Sequence, residues 1–215
     1  MASTHPIIVV TGAVGNLGGA VCERLAADGW AVAAVAHGAD DTLPACAAHR
    51  IGGVDLTDEA ATERAFAGLG VAAGDGVRGL VNAAGSFAWE AIAGGRQATW
   101  DRLYATNLVT ALNATRAVLP WLREGGAIVN VGAAAAAKAE MGMGAYAAAK
   151  SGVLRLTESL AAELKTKGIR VNAVLPSIID TPANRAEMPQ ADFRLWVRPE
   201  ELAEVIALFQ TRQAG

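Results

Sequence analysis

Cysteine is scarce in this chain, with only Cys22 and Cys46 among 215 residues. Neither stands at metal-ligand spacing, and two thiols are too few for the disulfide framework of a small secreted scaffold. They read as reduced thiols of a cytoplasmic protein. Charge is sparse too: 18% of residues are charged and the net is −3. No stretch is rich in lysine or arginine, so nucleic acid and anionic membrane surfaces find no electrostatic footprint here. No apolar run is long enough to span a membrane. The short polar start, Met1 to Pro6, runs through an apolar tetrapeptide straight into a glycine turn, which is not the layout of a signal peptide.

The hydrophobic share is 53%, inflated by alanine, and it excludes a disordered chain. Short β-branched runs alternate with longer helical ones. Strands are expected at 7–10, 31–36, 52–55, 77–82, 127–131 and 169–175. Helices are expected at 16–28, 59–69, 99–122, 145–167 and 199–211. A polar connection carrying Pro176, Pro182 and Pro189 precedes the last helix, and the alanine run at 133–137 reads as a loop. This alternation predicts one α/β domain over residues 1–215, a doubly wound parallel sheet of the Rossmann type covered on both faces. Ligands of such sheets bind at the carboxyl ends of the strands.

The turn after the first strand is rich in glycine and opens a helix: Thr11, Gly12, Ala13, Val14, Gly15, Asn16, Leu17, Gly18. Gly12 permits the tight turn, Gly15 lets backbone approach a pyrophosphate, and Gly18 lets helix and strand pack closely. The helix N-terminus then offers unpaired N–H groups to phosphate. Further cofactor contacts are expected from Ala36 and His37 after strand two, Asp55 and Leu56 after strand three, and Asn82, Ala83, Ala84 and Gly85 after strand four. Strand two ends without the acid that binds a ribose 2′-hydroxyl, Asp40 and Asp41 coming a few residues late. NAD and NADP both stay open, with a lean to NADP.

Tyr146 and Lys150 stand four apart on a predicted helix and so project from one face. A tyrosine hydroxyl ordinarily titrates near ~10, and a neighbouring ammonium is expected to lower that and make it a usable proton donor.

From residue 7 to about 210 the chain resembles the short-chain dehydrogenase/reductase superfamily. The glycine loop, Asp55-Leu56, Asn82 to Gly85, Asn107, Tyr146 with Lys150, and Pro176 with Thr181 carry the likeness. The resemblance implies an enzyme that transfers hydride at the nicotinamide. It makes Tyr146 the acid/base, Lys150 its tuner and ribose ligand, Asn107 the holder of a relay water, and Thr181 the carboxamide ligand. It also implies a homodimer or homotetramer built through the helices of Asn107 and Tyr146. Members usually carry one more strand after the last helix, and the sequence ends without one. A second departure is chemical: Ala133 stands where the family has its serine, and no serine or threonine lies between Asn130 and Tyr146.

Among members, the dihydropteridine reductase branch is the more similar, since it lacks that serine. Residues 123–126 and the stretch from Asp180 to Trp196 also look like that branch. The small-molecule substrate is then expected to be a quinonoid or imine-like heterocycle. Phe87, Trp89, Met141 and Met143, together with Ala133, are the expected walls of its site. Two alternatives are a carbonyl or alcohol oxidoreductase that manages without the serine, and a non-catalytic NAD(P)-binding regulator.

Overall fold

In the computed structural model, residues 6–72 and 76–211 are described. The readings made on Met1 to His5 and on the last four positions lie outside them.

Six strands form one parallel sheet: β1 (Ile7–Thr11), β2 (Ala31–Val35), β3 (His49–Ile51), β4 (Val77–Asn82), β5 (Leu122–Val131) and β6 (Arg170–Val174). Their order across the sheet is β3-β2-β1-β4-β5-β6, so the winding reverses between β1 and β4. A cleft opens at such a reversal, beyond the carboxyl ends of the strands. The helices are α1 (Asn16–Ala27), α2 (Glu59–Ala72), α3 (Gln97–Tyr104), α4 (Thr110–Val118), α5 (Gly144–Leu164), α6 (Pro182–Glu187) and α7 (Pro199–Gln210).

The pleat of β1 shows why the sheet is covered twice. Ile7 and Val9 face a core that includes Phe66, Val118 and Leu160. Ile8 and Val10 face the opposite core, with Val21, Leu25 and Ile206. Because successive side chains point to opposite faces, a run of four apolar residues is what a strand buried on both sides requires. All four are fully buried, each contributing about 1.5–3 kcal/mol by leaving water.

The structure corrects three expected boundaries. The third strand lies at His49–Ile51, and residues 52–55 form the turn after it. The long helix expected over 99–122 is broken into α3, a π-helical turn at Ala105–Val109, and α4. Helix then stops at Val118, and β5 begins at Leu122 and carries Arg123 and Glu124. The π turn has a visible cause in side chains that bind the carbonyl ladder. Asn107 Nδ2 donates to Leu103 O at 2.9 Å, and Thr106 and Thr110 hydroxyls donate four residues back, to Arg102 O and Thr106 O.

Among the described residues no helix is long and apolar enough to cross a membrane, and no group of His, Cys, Asp and Glu is arranged to hold a metal ion.

Candidate active site

The glycine turn forms at the carboxyl end of β1. Gly12 adopts φ +66°, a conformation that costs an L side chain strain. A Cβ there would also lie 2.8 Å from Ala84 Cα. A Cβ on Gly18 would run into Gly12 O, so α1 packs on its own turn only because that position is glycine. Gly15 is the N-cap of α1, with no side chain over the helix end. The exposed N-terminal groups of α1, next to Val14, Gly15 and Asn16, form a cradle that a Cβ would fill, and this suits the pyrophosphate of a dinucleotide.

The neighbouring loops complete this cleft. Thr11 Oγ1 accepts from Ala84 N at 3.3 Å, tying β1 to the segment after β4. Gly38 lies against Val14 Cγ1, and His37 beside it is exposed. Asp55 sits nearby, its carboxyl held below the usual range by the Thr57 hydroxyl, then by the Thr57 amide, with a small contribution from His37. One of its oxygens accepts both Thr57 bonds. Asp58 Oδ1 caps α2 by accepting from Ala61 N, so Asp55 is not needed as a cap. Asp40 accepts from Gly52 N, which commits this acid to the turn after β3.

Some expected cofactor residues face inward instead. Leu17 and Leu56 are buried in the two cores. Asn82 is 3% exposed and donates to Asn130 Oδ1 at 2.8 Å and Thr115 Oγ1 at 3.1 Å. Asn130 in turn donates to Thr157 Oγ1 at 2.8 Å. This buried chain braces β4, β5, α4 and α5 behind the site. A side chain so spent does not line the cleft; Asn82 serves it through the strand end it fixes. Thr181 is the N-cap of α6, its hydroxyl oxygen accepting from Asn184 N at 3.2 Å. Pro176 is buried, and its carbonyl accepts from Ala134 N at 2.9 Å, joining the loops after β5 and β6.

Tyr146 and Lys150 share one face of α5, as their spacing requires. Lys150 is 5% exposed, and burial pushes its ammonium down to about 8. Its Nζ donates to Val131 O at 2.7 Å. Gly85 permits this arrangement: a Cβ there would lie 2.7 Å from Asn107 Oδ1 and 3.4 Å from Lys150 Nζ. The expected lowering of the Tyr146 hydroxyl by Lys150 is not found. Burial dominates and pushes the phenol up, while Nζ stands 5.9 Å from the ring centroid and is directed to a carbonyl.

Asn107 is 1% exposed and grips the loop after β4. Its Oδ1 accepts from Ser86 N at 3.3 Å, and its Nδ2 donates to Ser86 O at 2.9 Å. With Leu103 O as well, both amide protons are used. Its side chain therefore organises the loop more directly than it holds a water.

The expected substrate walls separate into contacts and bystanders. Phe87 meets the Tyr146 ring edge-on, with centroids 5.0 Å apart and planes at 86°. Trp89 lies flat on Gly142, where a Cβ would run into the indole. Met141 is 80% exposed, and Met143 is the N-cap residue of α5. Ala133 is buried in extended backbone, and the nearest serine on α5, Ser151, donates to Ala136 O. Sequence reasoning passed over Ser86, Ile92 and Trp100. The latter two lie 3.4 and 3.5 Å from a Cβ at Gly144, and two exposed large apolar residues on either side of Gly94-Gly95 were their available signal.

A doubly wound sheet, a dinucleotide cradle at its reversal and a Tyr–Lys pair at the adjoining strand ends define the class of nicotinamide-dependent oxidoreductases. The short chain dehydrogenase family model matches residues 6–192, and the chain belongs to that family. It is 34% identical to nodulation protein G of Azospirillum brasilense, over 99% of this chain and 93% of that protein. It is 30% identical to an acetoacetyl-CoA reductase of Cupriavidus necator, over 99% and 93%. A short chain dehydrogenase from Burkholderia cenocepacia, solved in complex with NADP, superposes with a TM-score of 0.85 at 27% identity, covering 96% of this chain and 91% of that one. The chain is an NAD(P)-dependent oxidoreductase.

Proposed function

We propose that Tyr146 is the acid/base of this oxidoreductase and that its substrate is a quinonoid or imine-like heterocycle of the dihydropterin kind. Ala133 carries the substrate reading. A ketone oxygen that becomes an alkoxide gains from a second hydroxyl donor, and losing one such donor commonly costs about 3 kcal/mol. Protonating a ring nitrogen or a quinonoid oxygen needs one well-placed acid. This site has one phenol and a methyl group where a second donor would stand.

When bound, the nicotinamide supplies the hydride. The backbone around Gly12, Gly15 and Gly18 would hold its pyrophosphate, His37 and Asp55 its adenosine end, and Ala83, Ala84 and Gly85 its inner ribose. Pro176 and Thr181 would border the carboxamide. Tyr146 delivers the proton that balances the hydride, and Lys150, held at the end of β5 by Val131 O, would hold the ribose hydroxyls. NADP is favoured over NAD, because no acid ends β2 to repel a 2′-phosphate and Asp40 is engaged by Gly52. The same reading makes the chain a homodimer or homotetramer through α3, α4 and α5, on which Trp100 and Tyr104 stand exposed.

A second reading is reduction of a carbonyl with Tyr146 as the only hydroxyl donor, favoured by the similarity to acetoacetyl-CoA reductases. The deciding experiment is oxidation of NADPH and NADH with a quinonoid dihydropterin, set beside acetoacetyl-CoA and a panel of ketones and quinones. Turnover of the pterin above the carbonyl compounds supports the first reading. Turnover of the carbonyl compounds alone overturns it in favour of the second.

A further inference from the structure

The hydroxyl of Tyr146 makes no hydrogen bond among the described residues, so packing alone sets the direction of the ring. That packing comes from residues 85–92, which lie across the start of α5. Asn107 fixes the backbone of Ser86 from both sides, through its N–H and its C=O. The next residue, Phe87, presents its ring to Tyr146 in an edge-to-face pair at 5.0 Å, the arrangement aromatic quadrupoles favour. Two residues on, Trp89 covers Gly142. Glu90 N donates to Gly142 O at 2.8 Å, and the Glu90 carboxylate is anchored to Arg96. Two contacts, Asn107 with Ser86 and Phe87 with the ring, thus connect Asn107 to the phenol, while Trp89 and Glu90 pin the same segment to Gly142.

We propose that Phe87 is a positioning residue for Tyr146, fixing by ring packing the direction of a phenol whose hydroxyl has no hydrogen-bond partner among the described residues. The inference rests on the reading of Tyr146 as the acid. It goes beyond that reading by giving Phe87 a task in the proton transfer and not only in the substrate wall. A wall residue touches substrate and governs its binding. A positioning residue governs the acid whether or not substrate is present.

The chain has two tyrosines, and this makes a direct test possible. In a Tyr104→Phe background Tyr146 is the sole phenol, and near-ultraviolet absorbance follows its ionisation in the protein without coenzyme or substrate. Lys150 is the charged group that lies over the ring. Of the other packed elements, the 85–92 segment brings only Glu90, paired with Arg96, while Asn107, Val131 and Ala133 are uncharged. Burial holds the phenol above its ordinary value. Phe87→Ala is expected to bring the titration down toward ~10, and Phe87→Tyr to keep it near the parent. With the substrate that the panel identifies, Phe87→Ala is expected to lower kcat about ten- to a hundredfold while KM moves far less, and Phe87→Tyr to restore most of kcat. An unchanged titration, or a raised KM at constant kcat, overturns the proposal. Should circular dichroism show Phe87→Ala unfolded, Phe87→Leu carries the same two measurements. Failure of every substrate in the panel bears on the proposed activity and leaves the titration to decide the role of Phe87.

Discussion

Lys150 Nζ donates to the carbonyl oxygen of Val131 at 2.7 Å. The ammonium is thereby fixed to the carboxyl end of β5 and not to the phenol one helical turn away. Two properties of the site follow: a buried charge that weighs on stability, and a proton donor whose acidity in the ligand-free protein is set by burial.

The stability effect has a definite sign. An unfolded lysine titrates near ~10.4, and Lys150 in the fold is pushed down to about 8. Between these values the unfolded chain holds more protons, so stability rises with pH across that window. Below pH ~8 the full cost is present, on the order of 3 kcal/mol. Urea unfolding of wild type and Lys150→Met from pH 7 to 10 is expected to show the difference moving in favour of wild type. Cys22, pushed up to about 12 by burial, and Tyr146 pull the other way at high pH. They do so in both proteins and cancel. A difference that stays flat with pH would count against a buried charged lysine.

Tyr146→Phe removes one oxygen and keeps the ring that packs on Phe87. Turnover is expected to fall by about a hundredfold or more, while NADPH affinity, followed by fluorescence titration, changes less than about threefold. Equal losses in both would make the hydroxyl a binding group and not the acid.

Ala133→Ser restores a hydroxyl at a position whose backbone is extended, at φ −159°, and accepts serine without strain. The variant is expected to gain about tenfold or more in kcat/KM on ketones, with little gain on a quinonoid dihydropterin. A matching gain on both substrate types would remove the argument that Ala133 selects the heterocycle.

His37→Asp places a carboxylate at the end of β2, where it accepts from a ribose 2′-hydroxyl and repels a 2′-phosphate. The ratio of NADPH to NADH affinity is expected to fall by about tenfold or more. Isothermal titration with each coenzyme checks this, and an unchanged ratio would move the selecting contact elsewhere in the loop.

Most of the architecture was legible because the strands at the centre of the sheet are buried on both faces and read as unbroken apolar runs. The edge was not. His49-Arg50-Ile51 pairs on one side only and tolerates polar side chains, so the strand was sought one turn late, at 52–55. The start of β5 was hidden for a similar reason, since Arg123 and Glu124 look like a helix end. In the site, Tyr146, Lys150 and the glycine turn were readable as spacings. The roles of Asn107 and Asn82 were not, because a buried amide is defined by partners distant in sequence, such as Ser86 and Asn130. The direction of the Tyr146 shift was misjudged on the same ground. Spacing on a helix tells that a lysine is near; it does not tell that the lysine already donates its hydrogen bond to a strand carbonyl.

The bond from Ala84 N to the hydroxyl of Thr11 crosses 73 positions of the chain, and Gly12 has its tight neighbour in the same alanine. The glycine turn belongs to the first βαβ unit, but its wall at Ala84 does not. The cradle is complete only when β4 inserts beside β1, a non-local parallel pairing of the kind that slows folding. Coenzyme that binds the completed cleft more tightly than the first half alone then favours the assembled sheet.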